Sequence, residues 1–209
     1  QANLFAGTAA GAARDADTCF NIGIGQSAGK ALNEGDGNIF LGCLAGSKAT
    51  SGSDNIALGR GAASNGNLQG NGNFVGGCKA GEDLTTGGSN VFLGMAAGCN
   101  ANTGSKNVAI GSYALSASTT TGDANIALGP SAMASASGVT GANNIAMGCK
   151  SMYSVTSGNA NIAIGCASLF VNSTGVDNVA LGCQAGYNNY RHYNVFIGHK
   201  AGKGAAGYY

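Results

Sequence analysis

The sequence predicts an all-β fold, a parallel β-solenoid of about twelve coils with about 17 residues in each. Three observations predict it: a pentapeptide that recurs along the whole chain, a content of 38 glycines in 209 residues, and strand-like alternation inside the pentapeptide. Because the glycines recur in phase with the pentapeptide, they indicate a repeat architecture rather than a low-complexity chain.

The pentapeptide has the pattern Asn, apolar, small, apolar, Gly. In the copy at residues 55–59, Ile56 and Leu58 point to one face of a strand and Ala57 points to the other. Successive copies start 16 to 19 residues apart and the period never breaks, so we expect a single domain over residues 1–209. The units start at Asn3, Asn21, Asn38, Asn55, Asn73, Asn90, Asn107, Asn125, Asn144, Asn161, Asn178 and Asn194.

Each unit should fold into a strand, a tight corner at the pentapeptide Gly, a second short strand, and a polar turn. The second strand is predicted around a small dipeptide such as Ala45-Gly46, and the turn around the Gly that stands three places before the next Asn, such as Gly52. The period is too short for helical repeats, which need about 33 residues or more. Coils stacked about 4.8 Å apart would form a rod of roughly 58 Å.

The recurring Asn predicts a ladder of side-chain amides along the rod. Asn tolerates turn conformations, and a column of identical amides can donate and accept hydrogen bonds between neighbours. The ladder comprises Asn38, Asn55, Asn73, Asn90, Asn107, Asn125, Asn144, Asn161, Asn178 and Asn194.

The middle residue of the pentapeptide is never polar, so the strand is apolar on both faces, as in a sheet that is covered on both sides. If Ile56 and Leu58 face the interior of the coil, the middle column faces outward. We therefore expect it to pack against other subunits of a symmetric bundle. The alternative is a wider single-chain coil whose third side covers this column. The column comprises Phe40, Ala57, Val75, Phe92, Ala109, Ala127, Ala146, Ala163, Ala180 and Phe196.

The pentapeptides at residues 55–59, 107–111, 161–165 and 178–182 resemble the haemagglutinin-type repeat of trimeric autotransporter adhesin heads, the YadA-like heads. Related repeats occur in phage tail fibres. The resemblance covers essentially the whole chain and implies a left-handed parallel β-roll, assembled as a trimer and used for attachment. The period is longer than that of the adhesin heads, which suggests a larger cross-section.

The two ends of the sequence favour a segment of a longer object. The first and last units keep the repeat instead of ending in polar caps, so we expect the rod to continue or to stack end to end. A chain that starts at Gln1 is expected to be a processed product or an excised piece. Since a coiled-coil stalk and a membrane anchor are missing, we expect a fibre segment rather than a complete surface autotransporter.

The seven cysteines follow the repeat rather than a disulfide framework. Five directly follow the pentapeptide Gly and form a predicted thiol column of Cys43, Cys78, Cys149, Cys166 and Cys183. Free thiols that act as small apolar fillers are one interpretation. Disulfides between neighbouring coils or subunits are the alternative, although in-register Cβ atoms lie further apart than a disulfide prefers. His199 continues the column, but zinc needs tetrahedral convergence and not a straight line, so we expect no metal site.

Composition and motifs argue against most other function classes. The net charge of +1 argues against a nucleic-acid partner, and the apolar runs are too short for a membrane span. The nine acidic residues are scattered without a spacing that suggests an acid–base pair, so we expect neither catalysis nor a cofactor.

Two departures from the repeat are candidate contact regions. Coils seven to ten carry Leu115, Met133, Met152 and Leu169 in place of the second Gly, which indicates either core packing or an exposed binding stripe.

The second region concentrates aromatic and positively charged residues near the C-terminus, which suits either a receptor or glycan contact or a subunit junction. This candidate contact patch comprises Tyr187, Tyr190, Arg191, His192 and Tyr193, and Tyr208 and Tyr209 follow it.

The sequence therefore predicts a non-enzymatic fibre segment for attachment, in a virion tail fibre or on a cell surface. The expected partners are copies of the chain, a trimer being favoured, further fibre segments, and a cell-surface glycan or protein receptor. The alternative is a secreted subunit that polymerises end to end into an extracellular filament. A third class, an ice-binding solenoid, would use the threonines that recur once per unit, such as Thr86 and Thr103.

Overall fold

A computed structural model describes residues 2–13 and 18–204 and confirms the predicted parallel β-solenoid. Its twelve three-residue strands pair in parallel and in sequence order, so that one sheet runs along the whole rod. Equivalent positions of neighbouring units face each other, as Ala57 faces Phe40 and Val75. The strands are β1 (Leu4–Ala6), β2 (Ile22–Ile24), β3 (Ile39–Leu41), β4 (Ile56–Leu58), β5 (Phe74–Gly76), β6 (Val91–Leu93), β7 (Val108–Ile110), β8 (Ile126–Leu128), β9 (Ile145–Met147), β10 (Ile162–Ile164), β11 (Val179–Leu181) and β12 (Val195–Ile197).

The second strand predicted in each unit is wrong. The residues around the Ala-Gly dipeptide form turns, because two of them in each coil have left-handed backbone conformations that a strand does not accept. In the third coil these are Leu44, with φ 63°, and Gly46, with φ 57°. The backbone N–H groups of these two residues point in opposite directions along the rod. Leu44 N–H donates to the Gln26 carbonyl of the preceding coil, and Gly46 N–H donates to the Ala62 carbonyl of the following coil.

The predicted amide ladder is present, and its amides from Asn21 to Asn178 are buried in the interior of the coil. Asn90 shows the pattern. Its backbone N–H and its Nδ2 both donate to Oδ1 of Asn73 at 3.0 Å, and its Nδ2 also donates to the carbonyl of Gly104 at 2.9 Å. Its own Oδ1 accepts the backbone N–H of Asn107 at 2.8 Å. Each amide thus ties a strand both to the preceding coil and to its own returning turn.

The buried ladder overturns the prediction that the middle column faces other subunits. Because side chains alternate along a strand, a buried Asn puts the residue two places later inside as well, and puts the flanking residues outside. From Phe40 to Ala180 the middle residues are at most 1% exposed, and Phe196 packs against the same core at the end of the rod. The residues that were predicted to face outward and that lie in or against the core are Phe40, Ala57, Val75, Phe92, Ala109, Ala127, Ala146, Ala163, Ala180 and Phe196.

In coils six to ten the turn covers the middle column by an exchange of volume within the coil. Phe92 faces Gly98, where a Cβ atom would lie 2.7 Å from the aromatic ring. In the next coil Ala109 leaves room, and Leu115 fills the same position with no exposure. In these five coils a bulky residue comes either from the strand or from the turn, and the two positions close the core together.

This exchange of volume explains the apolar block of coils seven to ten. Leu115, Met133, Met152 and Leu169 are fully buried, so they pack the core and do not form a binding stripe. They do so in left-handed backbone conformations, with φ between 44° and 53°. Such a conformation costs roughly 1–2 kcal/mol for a residue with a side chain, and filling the space beside an alanine offsets this cost.

The corner after each strand accepts only glycine. Gly111, for example, has φ 131°, and a Cβ atom there would lie 2.8 Å from the carbonyl group of Gly129 in the next coil. The close stacking of coils at this corner explains why the pentapeptide ends in Gly.

We expect Asn90→Ala to lower the free energy of unfolding by about 3 kcal/mol, because it strips partners from buried groups that each cost about 1–3 kcal/mol when left unsatisfied. Asn67→Ala is the matched control, since this exposed Asn only accepts a hydrogen bond from the Thr50 hydroxyl. It should change stability by less than about 0.5 kcal/mol. Urea unfolding followed by circular dichroism measures both, and equal losses would contradict a structural ladder.

The volume exchange predicts a double-mutant rescue. Phe92→Ala alone should cost about 3–5 kcal/mol through a cavity. Gly98→Leu alone should be destabilising because its side chain meets the Phe92 ring. The double variant recreates the pair Ala109 and Leu115 of the next coil, so it should be clearly more stable than the sum of the two single losses predicts. Purely additive losses in the same unfolding assay would refute the exchange.

Candidate functional site

The structure leaves one long apolar surface exposed, and we call it the outer sheet face. It consists of the first and third residues of strands β2 to β11, all of them large apolar residues except Gly76. Ile24, Ile110 and Ile164 are 40–44% exposed, and the other side chains of this face range from half-buried to similarly exposed. These are the residues that the sequence analysis assigned to the interior.

The outer sheet face is a long and narrow apolar patch. Ten strands spaced about 4.8 Å apart span about 43 Å, and three residues across a strand span about 10 Å. The face thus covers about 430 Å² in projection, within the range of roughly 300–600 Å² that the largest apolar patches of monomeric proteins reach. The sequence does show that the Asn and the middle residue share one face of the strand, because they stand two places apart. The first and third strand residues therefore share the opposite face.

The thiol column lies at the corner beside this face. All seven cysteines are free thiols, and Cys149, Cys166 and Cys183 are exposed, so the interpretation as apolar fillers is wrong for these three. The backbone confirms their alignment: Ala167 N–H donates to the Cys149 carbonyl at 2.9 Å and Gln184 N–H to the Cys166 carbonyl at 2.8 Å. Three thiols therefore stand in line on three successive coils.

The two other members of the column have different neighbours. The Cys43 thiol donates to Gln26 Oε1 at 3.7 Å, and Arg60 Nη2 donates to Cys78 Sγ at 3.4 Å. Because Arg60 separates them, Cys43 and Cys78 are isolated thiols in the same coil position as the aligned three.

Two thiols have perturbed acidity. Local desolvation, the charges of the flanking Cys149 and Cys183, and hydrogen bonding with them raise the pKa of the Cys166 thiol, although its side chain is exposed. Outside the column, the pKa of Cys19 is raised by its hydrogen bond to Asp36 Oδ1, at 3.4 Å, and by burial.

The candidate contact patch is divided between two places. Tyr190, Arg191, His192 and Tyr193 are exposed in the turn between β11 and β12, and Tyr193 is 77% exposed. The His192 and Tyr193 rings lie 6.0 Å apart, and His192 Nδ1 accepts the backbone N–H of Val176 at 3.1 Å. Tyr208 and Tyr209 lie outside the described residues.

Tyr187 belongs to a separate aromatic stack that the sequence analysis missed. The rings of Tyr153, Phe170 and Tyr187 stack with centroids 5.2 and 4.9 Å apart, and Lys203 Nζ lies 5.6 Å from the Tyr187 centroid. The signal was present in the sequence, since these three aromatic residues follow one another at intervals of 17 residues.

Among the described residues, no group of three His, Cys, Asp or Glu side chains converges in a way that could hold a metal ion. An open groove of about 480 Å³ near the N-terminal end is lined by two lysines, two serines and apolar residues. The described chain also forms no helix with the length and hydropathy of a membrane span.

Comparisons with protein-family models, curated proteins and solved structures find no match for this chain. Its functional interpretation therefore depends on the surfaces described above.

The aligned thiols predict a measurable coupling. Replacing both neighbours of Cys166, as in the double variant Cys149→Ser/Cys183→Ser, should lower the pKa of Cys166, because the flanking charges and thiol hydrogen bonds that raise it are removed. Site-resolved alkylation with iodoacetamide as a function of pH, read by mass spectrometry, measures this pKa. Cys43→Ser is the control and should leave the profile of Cys166 unchanged. An unchanged profile in the double variant would show that the three thiols do not interact.

Proposed function

We propose that the chain is a non-enzymatic segment of an attachment fibre, in which copies of the rod pack side by side through the outer sheet face. The observation that carries the proposal is the apolar character of this face along strands β2 to β11. A surface that is apolar over ten successive strands favours association in water, because burying it removes apolar area from solvent.

A second copy of the same chain is the favoured occupant. A flat face of in-register strands repeats every ~4.8 Å, and a parallel copy presents the same repeat, so the two can match along their full length. Three rods around an axis would cover every outer sheet face in one closed assembly. The resemblance to trimeric adhesin heads and phage tail fibres supports this number of copies. The expected setting is a virion tail fibre or a cell surface.

In this assembly the coil corners point away from the axis and present the contact residues. The exposed turn of Tyr190, Arg191, His192 and Tyr193 is the favoured receptor-binding patch. Aromatic and Arg side chains are enriched at the energetically dominant positions of interfaces. A cell-surface glycan or a surface protein is the proposed class of receptor.

End-to-end polymerisation into an extracellular filament is the second candidate, because β1 and β12 each pair with one strand only among the described residues. Core volume argues against stacking β12 directly on β1 of another copy. Such a stack would place Phe196 on Phe5, whereas within the chain every phenylalanine of the middle column neighbours only Gly, Ala or Val in adjacent coils. Lateral packing is therefore preferred.

Sedimentation equilibrium tests the assembly. We expect the purified chain to sediment at three times its monomer mass of 20.3 kDa, and Leu128→Lys to shift it to monomer because the charge lies in the centre of the outer sheet face. Ser137→Lys, on an exposed turn, is the matched control and should remain assembled. A monomeric wild-type protein would overturn lateral assembly. Long filaments of single rods in negative-stain micrographs would favour the second candidate.

A further inference from the structure

The three aligned thiols form a feature that fibre assembly does not explain. Cys149, Cys166 and Cys183 are exposed, and they occupy one corner position on three successive coils. Equivalent atoms of adjacent parallel strands are separated by about 4.8 Å. This fixed spacing is set by backbone hydrogen bonds and by the Asn ladder, so the scaffold holds the sulfurs in line without requiring contacts between them.

The spacing suits one kind of metal coordination. A metal–thiolate bond is about 2.3 Å long, as in zinc sites, so two thiolates on opposite sides of one ion have sulfurs about 4.6 Å apart. A tetrahedral ion needs four converging ligands, and the described residues do not provide even three. A linear ion needs only two, and neighbouring strands supply them.

We propose that Cys149, Cys166 and Cys183 form a binding site for a soft monovalent cation of the Cu(I) class, held between the thiolates of adjacent coils. Thiolates are the ligands that select Cu(I), and Cu(I) accepts linear two-coordinate binding. Cys166 is shared, since it has an aligned thiol on each side. The column therefore takes one ion between either pair, or two ions bridged by the central sulfur.

The binding step is balanced without redox chemistry. Two S–H bonds break, two Cu–S bonds form, and two protons pass to solvent, while copper enters and remains as Cu(I). The resulting dithiolate complex carries one negative charge. The exposed Lys150 directly follows Cys149 in the sequence. Because protons compete with the ion, affinity should fall as the pH is lowered.

The test is an anaerobic titration of the reduced, full chain with Cu(I), in competition with a chromophoric Cu(I) chelator. We expect the wild type to retain one or two ions and to release two protons for the first. Cys166→Ser leaves Cys149 and Cys183 two strands apart, about 9.6 Å, which one linear ion cannot span. Loss of the second ligand should weaken binding by about 100-fold or more, because the two thiolates no longer act as one linked pair.

Cys43→Ser is the matched control, since Cys43 occupies the same coil position but stands between Gln26 and Arg60. It should bind Cu(I) like the wild type, and circular dichroism should show both variants folded. The proposal is overturned if the wild type and Cys166→Ser bind Cu(I) with equal affinity.

X-ray absorption at the copper edge supplies an independent readout. Two sulfur ligands support the thiol site. One sulfur and one nitrogen would instead place the ion between Cys183 and His199, and would overturn the assignment to the three cysteines. Since the titration does not measure assembly, its failure and the failure of the proposed function are distinguishable.

Discussion

The buried asparagine ladder is the interaction on which the rest of the structure depends. Asn90 shows how: its Oδ1 accepts the backbone N–H of Asn107 in the following coil, and its Nδ2 donates to the Asn73 amide and to a carbonyl of its own returning turn. These groups lie where water does not reach, so each hydrogen bond is costly to lose. The ladder thereby fixes the register between coils and the direction in which every strand faces.

The direction in which each strand faces decides which of its residues lie in the core and which lie on the surface. With Asn inside, the middle residue of each strand is also inside, and the space left for it is shared with the turn. Phe92 with Gly98 and Ala109 with Leu115 are two solutions to the same packing problem. The flanking residues are left outside, and this explains how a chain with 44% hydrophobic residues exposes a continuous apolar face.

The thiol column and the outer sheet face both follow from the same regularity. In a solenoid, a residue type repeated at one position becomes a straight line of identical side chains, with a spacing set by backbone hydrogen bonds. Repeated Ile, Leu and Val become the outer sheet face. Repeated Cys becomes three aligned thiols, and repeated aromatic residues become the stack of Tyr153, Phe170 and Tyr187. Specific functions can thus be added to the rod without changing its core.

The sequence alone determined the repeat, the position of the pentapeptide strand in each unit, the parallel stacking and the amide ladder, because these depend on periodicity and on the chemistry of Asn and Gly. It also predicted which residues share a face, but not which face is inside. The pentapeptide is apolar on both sides, so hydropathy could not distinguish Ala57 from Ile56 and Leu58. Only the closed coil decided this, since the left-handed turn residues fold the chain back over the face that carries Asn. Which surface remains exposed, and with it each candidate interaction site, is therefore a property of the tertiary structure.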